Sequence, residues 1–473
     1  MLSISRRFSL IVTRTLLFFH VSAVLAVSTT GNSSIQCSTL ERLLPKQVSY
    51  PSSTTYISSV LSYYFVQEPL SNIYKKQPDA TLLSIRSGGH SPIAGAANDN
   101  GGVTIDLTLM DTLSLNRDGS MVSVGAGSIW SKIYIQLEQR NLTVLGGRVA
   151  GIGVGGLLIG GGVSFLSPQY GWACDGILGM EVVLADGSVV YASSQSHSGL
   201  FTALQGGSNN FGVVTRFDLK TFAQRELLGG FIFYNSSTVP QLLKAFNDFM
   251  SPVNFDPHAS IIQAFGYQQG LQAVSMGMEY TLPIANTTPK VLQPFLEIDN
   301  QLGSTMRVSN MLNFVTEEAD FQPLNTRGIY VTTTFSPNLP ILTSIYDLWN
   351  ATTPSISAIP SIGYSLIYQR LPATVPGNVN SFNLPSSAEN LSDDETVNSV
   401  TTALMSAIEE KTKEAGVYNS FKYLNYAASW QNPLGSYGDK GKENLLSVKK
   451  TYDPQGLFQK GVPGGFKLKG LDQ

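Results

Sequence analysis

Between Gly146 and Gly162 the chain reads Gly-Gly-Arg-Val-Ala-Gly-Ile-Gly-Val-Gly-Gly-Leu-Leu-Ile-Gly-Gly-Gly. Such a run cannot sustain a long helix, because each interior glycine costs roughly 1 kcal/mol relative to alanine. Gly151, Gly153 and Gly156 nevertheless satisfy the G-x-G-x-x-G spacing that presents backbone N–H groups to a dinucleotide pyrophosphate at a helix opening. A strand-like Leu142-Thr143-Val144-Leu145 precedes it. Only Leu157-Leu158-Ile159 intervene before three more glycines, so the crossover helix of a Rossmann unit does not fit. The spacing predicts an extended glycine loop laid against a flat cofactor, with a purely structural glycine-rich turn as the alternative.

Two other segments carry chemistry. Ile85-Arg86-Ser87-Gly88-Gly89-His90-Ser91 follows the apolar Leu82-Leu83. Paired glycines after a strand let backbone N–H groups close on an anion and place His90 beside whatever the loop holds. By itself, Gly-Gly-His equally describes a tight turn with a surface histidine. Tyr423-Leu424-Asn425-Tyr426 holds two tyrosines that are either core residues or, given a cationic or hydrogen-bonding neighbour, general bases.

Composition removes several other classes. Of 473 residues, 13% are charged and 42% hydrophobic, which excludes a disordered chain. A net charge of -3 without a basic stripe excludes nucleic-acid binding. With four histidines, two cysteines and neither His-Glu-X-X-His nor Cys-X-X-Cys, no metal site is expected. No Gly-X-Ser-X-Gly nucleophile elbow is present. Asp393-Asp394-Glu395 lies in a polar stretch and reads as solvated surface, and Cys174 either pairs with Cys37 or is a buried thiol.

Arg6, Arg7 and Arg14 precede an apolar run from Leu16 to Ala26, with small residues at Val24-Leu25-Ala26. That is the plan of a signal peptide over residues 1–26, and the run falls short of the roughly 20 apolar residues of a membrane span. A secreted protein with no membrane segment after cleavage is expected. Six Asn-X-Ser/Thr sequons, at Asn32, Asn141, Asn235, Asn286, Asn350 and Asn390, fit N-glycans in that compartment.

Val103-Thr104-Ile105-Asp106-Leu107 and Met121-Val122-Ser123-Val124 alternate as half-buried strands. Ser128 reads as the N-cap of a helix with Ile129, Ile133, Tyr134 and Leu137 on one face. Asp186-Gly187, between Val182-Val183-Leu184 and Val189-Val190-Tyr191, marks a hairpin. Pro376 to Asp394 reads as a long surface loop. Leu445, Val448 and Tyr452 mark a helix that Asp453-Pro454 stops. The fold class is α+β.

In this order, the segments resemble the flavin-dependent oxidases of the vanillyl-alcohol-oxidase fold with PCMH-type FAD binding, and among them the berberine-bridge-enzyme-like family of fungal secreted type. The resemblance rests on Arg86-Ser87-Gly88-Gly89-His90-Ser91, the run Gly151 to Gly162, Gly179 to Gly187, Leu200 to Gly207, Asn210 to Thr215, Tyr423-Leu424-Asn425-Tyr426 and Val448 to Pro454. It covers the first half of the chain and the C-terminal fifty residues, and it implies a two-part FAD-binding domain, residues 38–222 and 416–473. A substrate domain built on an antiparallel sheet backed by helices, residues 223–415, is inserted between the two parts.

It also implies FAD linked covalently through His90, held by Arg86 to Ser91 and by Gly151, Gly153, Gly155, Gly156 and Gly162. Val183 is expected near the adenine, with Asn425 at the returning segment. Relatives add a cysteinyl link just before the glycine run; Val149-Ala150-Gly151 has no cysteine, so a single link is expected. Tyr426, with Tyr423 nearby, matches the tyrosine some members use as base, and no counterpart of the glutamate others use is evident. The implied reaction oxidises a small-molecule alcohol or activated C–H in specialised metabolism, with oxygen reduced to hydrogen peroxide. A carbohydrate oxidase, an oxidative cyclase and a non-enzymatic glycoprotein are the alternatives.

Overall fold

The computed structural model describes residues 22–25, 35–50, 53–65, 68, 82–98, 102–224, 226–282, 288–322, 326–359, 361–375, 380–382, 390–391 and 395–471. Most of the expected leader, the side chain of Cys37 and the sequon residues Asn32 and Asn286 lie outside them. The strand Ser22–Leu25 pairs with Val48–Ser49 and with Val103–Asp106. Cleavage after Ala26 would therefore leave these two strands without the one that joins them.

The N-terminal half is built on two sheets. In the first, Leu83–Arg86 runs parallel to Val103–Asp106, with Arg86 in register with Asp106. The second has six strands, centred on Val213–Ala223, which pairs antiparallel with Met121–Gly125 on one side and Ile177–Val183 on the other. Val189–Ser193 completes the expected hairpin at Asp186-Gly187, where Gly187 takes φ +84°. A period-two pattern with a Gly in the left-handed region is a local instruction, and here local chemistry is sufficient.

From Leu227 a third, eight-stranded sheet begins. Its centre is antiparallel: Leu227–Asn235, Leu271–Tyr280, Ala259–Gln268 and Gly363–Gln369. Alternate side chains of these strands point to opposite faces. Ile261, Phe265, Met276, Met278, Leu366 and Tyr368 pack against helices Val239–Met250, Leu339–Ile356 and Glu395–Glu414. The other face, carrying Ile262, Glu279, Ile367 and Gln369, turns toward the N-terminal half. After Glu414 the chain returns there: helix Gly438–Tyr452 buries Leu445 and Val448 in the N-terminal core and stops at Asp453. No helix among the described residues is long and apolar enough to cross a membrane.

Three local expectations need correction. The helix runs from Trp130 to Glu138 with Ile129, not Ser128, at its N-cap, and the Ser128 hydroxyl caps nothing. Ser128 is instead used through its backbone, its carbonyl accepting from Val154 N–H at 2.9 Å. The glycine run is not wholly extended: Gly153 caps a short helix, Val154–Ile159, which ends at Gly160. The three terminal glycines set the length of that helix. The stretch from Pro376 to Asp394 is not all surface either. Its Phe382 is buried against Trp172, Phe421 and Tyr437, with Ser381 Oγ donating to the Thr202 carbonyl at 2.8 Å.

Candidate active site

The strand Leu83–Arg86 delivers Ser87 to Ser91 at its C-terminal end. Arg86 is pinned behind this loop: Nη1 donates to Asp106 at 3.2 Å and the Ser59 carbonyl at 2.7 Å, and Nη2 to Ser62 Oγ at 2.6 Å. Its guanidinium also lies over the Tyr63 ring at 4.1 Å. Ser87 Oγ donates to the Ala126 carbonyl at 2.6 Å and accepts from Gly155 N–H at 3.2 Å, tying the loop to the glycine run. A Cβ on Gly88 would stand 2.5 Å from the backbone of Gly153, and the reverse holds equally. Two glycines are required where these backbones meet.

A cavity of about 400 Å³ opens beside this junction, lined in part by His90, Gly156, Arg148, Glu318, Gln369 and Tyr426. The Tyr64 ring lies against the His90 ring with centroids 4.0 Å apart and planes tilted by 48°, and Phe65 meets it edge-on at 5.6 Å. Burial pushes the His90 imidazole down to about 4, so it is neutral at pH 7. Its buried Nδ1 has no hydrogen-bond partner among the described residues.

The returning segment supplies the opposite set of groups. Tyr423 is buried, and its hydroxyl accepts from Gly162 N–H at 3.0 Å and from Asn425 Nδ2 at 3.1 Å. Burial is the main cause holding that phenol well above its ordinary range. Asn425 Nδ2 also donates to the Leu157 carbonyl at 3.0 Å, and its carboxamide fills the space a Cβ on Gly160 would need. Tyr426 has a different partner: Arg148 Nη2 donates to its hydroxyl at 3.0 Å and to Gln369 Oε1 at 2.9 Å.

Burial works against the Arg148 charge, but Tyr426, Glu318 and Glu279 outweigh it, and its pKa is raised. Burial pushes Glu318 up to about 7 and Glu279 well above the carboxylate range, with Arg148 opposing both shifts. One oxygen of each carboxyl is buried without a hydrogen-bond partner. The site thus holds a buried cation, a phenol that accepts from it, and two carboxyls driven toward the neutral acid.

The FAD binding domain family matches residues 75–193. The FAD-dependent monooxygenase tpcD of Cochliobolus heterostrophus is 34% identical over 459 residues, covering 87% of this chain and 88% of its own. The chain belongs to the FAD-dependent oxidoreductase family of this fungal relative. Its fold is that of 6-hydroxy-D-nicotine oxidase from Arthrobacter nicotinovorans, with a TM-score of 0.70 at 21% identity over 86% of this chain and 95% of that one. The glucooligosaccharide oxidase of Acremonium strictum, solved in a study of its 6-S-cysteinyl, 8α-N1-histidyl FAD, shares the fold with a TM-score of 0.64. The identity is 18%, and the match covers 86% of this chain and 93% of that one.

The residues of this oxidoreductase fit FAD. A Cβ on Gly156 would meet no protein atom within 4 Å, so the cavity floor is bare where a flat ring must approach. His90, with its orphaned nitrogen, borders the same space. Of the residues expected to hold the cofactor, Ser87, Gly88, Gly89, His90, Ser91, Gly153, Gly155, Gly156 and Asn425 line the cavity. Arg86, Gly151, Gly162 and Val183 do not. Arg86 is committed to Asp106, and Gly162 to Tyr423. Val183 is covered by Gly212 and Val213, which themselves line the cavity.

Sequence reasoning missed Arg148, Glu279, Glu318 and Gln369. Arg148 carries a signal, as the sole charge between Gly146 and Gly162. The two glutamates carry none, because only the fold of the third sheet and the helix Met311–Asp320 bring them to it.

Proposed function

We propose that the protein is an oxidase that removes hydride from an alcohol or activated C–H of a small molecule of specialised metabolism. FAD supplies the hydride acceptor, which oxygen reoxidises with release of hydrogen peroxide. His90 is the attachment point: a neutral imidazole with a free nitrogen lone pair is the nucleophile a covalent flavin link needs, and the glycine run offers no second, cysteinyl anchor. Tyr426 is the base. Its hydroxyl oxygen accepts from a buried cation, so negative charge developing there is met at 3.0 Å. Tyr423 has no such freedom, because both its neighbours donate to it, and it acts as a strut between the terminal segment and Gly162. The observation that carries the reading is the Arg148–Tyr426 pair in one cavity with His90.

The Cochliobolus heterostrophus relative is a FAD-dependent monooxygenase, which favours a second reading in which an oxygen atom enters the product. Isotopically labelled oxygen separates the two: label in peroxide supports the oxidase, and label in the organic product supports the monooxygenase. A denaturing gel viewed for flavin fluorescence tests the link, with His90→Ala expected to lose the fluorescent band. We propose further that the chain is secreted and glycosylated; Asn141, Asn235 and Asn350 are exposed, and endoglycosidase treatment of secreted protein should raise its gel mobility.

A further inference from the structure

Arg148 carries donors that the protein does not use. It is 9% exposed, lines the cavity, and makes both its hydrogen bonds from one nitrogen, Nη2. Nε and Nη1 have no hydrogen-bond partner among the described residues, and no carboxylate stands within salt-bridge distance there. An unpaired buried cation is costly unless a counter-charge reaches it. Glu318 and Glu279 act on it only from longer range, and burial drives both toward the neutral acid.

We infer that Arg148 receives one ionised oxygen of the substrate, the enolate or phenolate of an otherwise apolar molecule. The inference deepens the oxidase reading and rests on it. A guanidinium grips a carboxylate through two neighbouring nitrogens, Nε with Nη2 or Nη1 with Nη2. Both edges include Nη2, whose two hydrogens go to Gln369 and Tyr426. A carboxylate would therefore find one donor and lose its bidentate advantage, whereas an enolate or phenolate needs one donor only. Ile262, Ile367 and Tyr330 line the same cavity and offer the scaffold an apolar and aromatic wall.

The test uses flavin-loaded protein titrated with para-nitrophenol, the cyclic β-diketone dimedone, para-nitroanisole and para-nitrobenzoate, read by difference absorbance and calorimetry. The phenol or the diketone should bind as its anion, at least about tenfold tighter than the methyl ether and tighter than the benzoate. Which of the two wins tells phenolate from enolate. Arg148→Gln should lose the bound anion while keeping its flavin spectrum and Tm. Glu318→Gln, compared at about pH 8 where the wild-type carboxyl is ionised and competes for Arg148, should strengthen anion binding severalfold and stands in if Arg148→Gln does not fold. Binding of the neutral phenol, preference for the benzoate, an unchanged Arg148→Gln, or an unchanged or weakened Glu318→Gln would each overturn the inference. Flavin content is read from the same spectra, so failure in flavin-loaded protein counts against this inference alone. A flavin-free preparation overturns the oxidase reading with it.

Discussion

The α-carbon of Gly88 lies directly against the backbone of Gly153, so that a methyl group on either would come within 2.5 Å of the other. The obstacle is main chain, which cannot rotate away. Gly88→Ala should therefore separate the two loops and abolish both soluble yield and flavin content. Gly156→Ala makes the contrast, since its Cβ meets no protein atom within 4 Å. It should fold with an unchanged Tm in the apoprotein and lose flavin, measured as the absorbance ratio of flavin to protein.

Two tyrosines three positions apart should respond differently to the same change. Tyr426→Phe should lower the rate of flavin reduction by roughly 10²–10⁴-fold with flavin content and Tm retained. Tyr423→Phe should orphan the buried Gly162 N–H and cost about 1–3 kcal/mol of stability. Its turnover per bound flavin should stay close to wild type, and denaturant unfolding beside stopped-flow reduction would show whether the two effects divide this way.

Glu318 ties stability to pH. Its carboxyl is lifted from 4.5 to about 7, so the folded protein holds this proton more tightly than the unfolded chain does. The stability it contributes is whole below pH 4.5 and is lost as pH rises to about 7. Tm measured across that window should fall less, or rise more, in Glu318→Gln than in wild type. A parallel pair of curves would show that Glu318 titrates alike in both states.

Phe382 should matter more than its setting in a polar, proline-rich stretch implies. Its ring fills the space that a Cβ on Gly161 or Gly206 would occupy and packs on Trp172. Phe382→Ala should cost about 3–5 kcal/mol, read from denaturant midpoints, with the flavin spectrum shifted because Gly161 borders the run that floors the site.

These cases mark where sequence is a sufficient guide. The hairpin at Asp186-Gly187 and the stop at Asp453-Pro454 are instructions spelled within a few residues, and the chain obeys them. The glycine run and Gly88-Gly89-His90 read as one cofactor site only through the family resemblance, because by themselves they equally describe tight turns, and most of these glycines make room for protein atoms such as Trp130, Asn425 and Phe382. The six-residue helix after Gly153 was not, since glycine's helical cost is a tendency that packing overrides. Tyr423 and Tyr426 are alike in sequence and differ only in their partners, Gly162 N–H for one and Arg148 for the other. Glu279 and Glu318 sit on separate elements far along the chain from Arg148, and nothing local announces that the fold will gather them.

Gly465 and Phe466 belong to the cavity wall, together with Tyr423 to Tyr426, although the opposite wall begins at Ile85. A nascent chain therefore has its glycine run and its histidine in place long before it has a site. Until Gly465 and Phe466 dock, one side of the cavity is open to water. Cofactor capture must accordingly wait until that segment has docked, and a truncation that spares both recognisable motifs but removes residues 438–471 should yield an apoprotein.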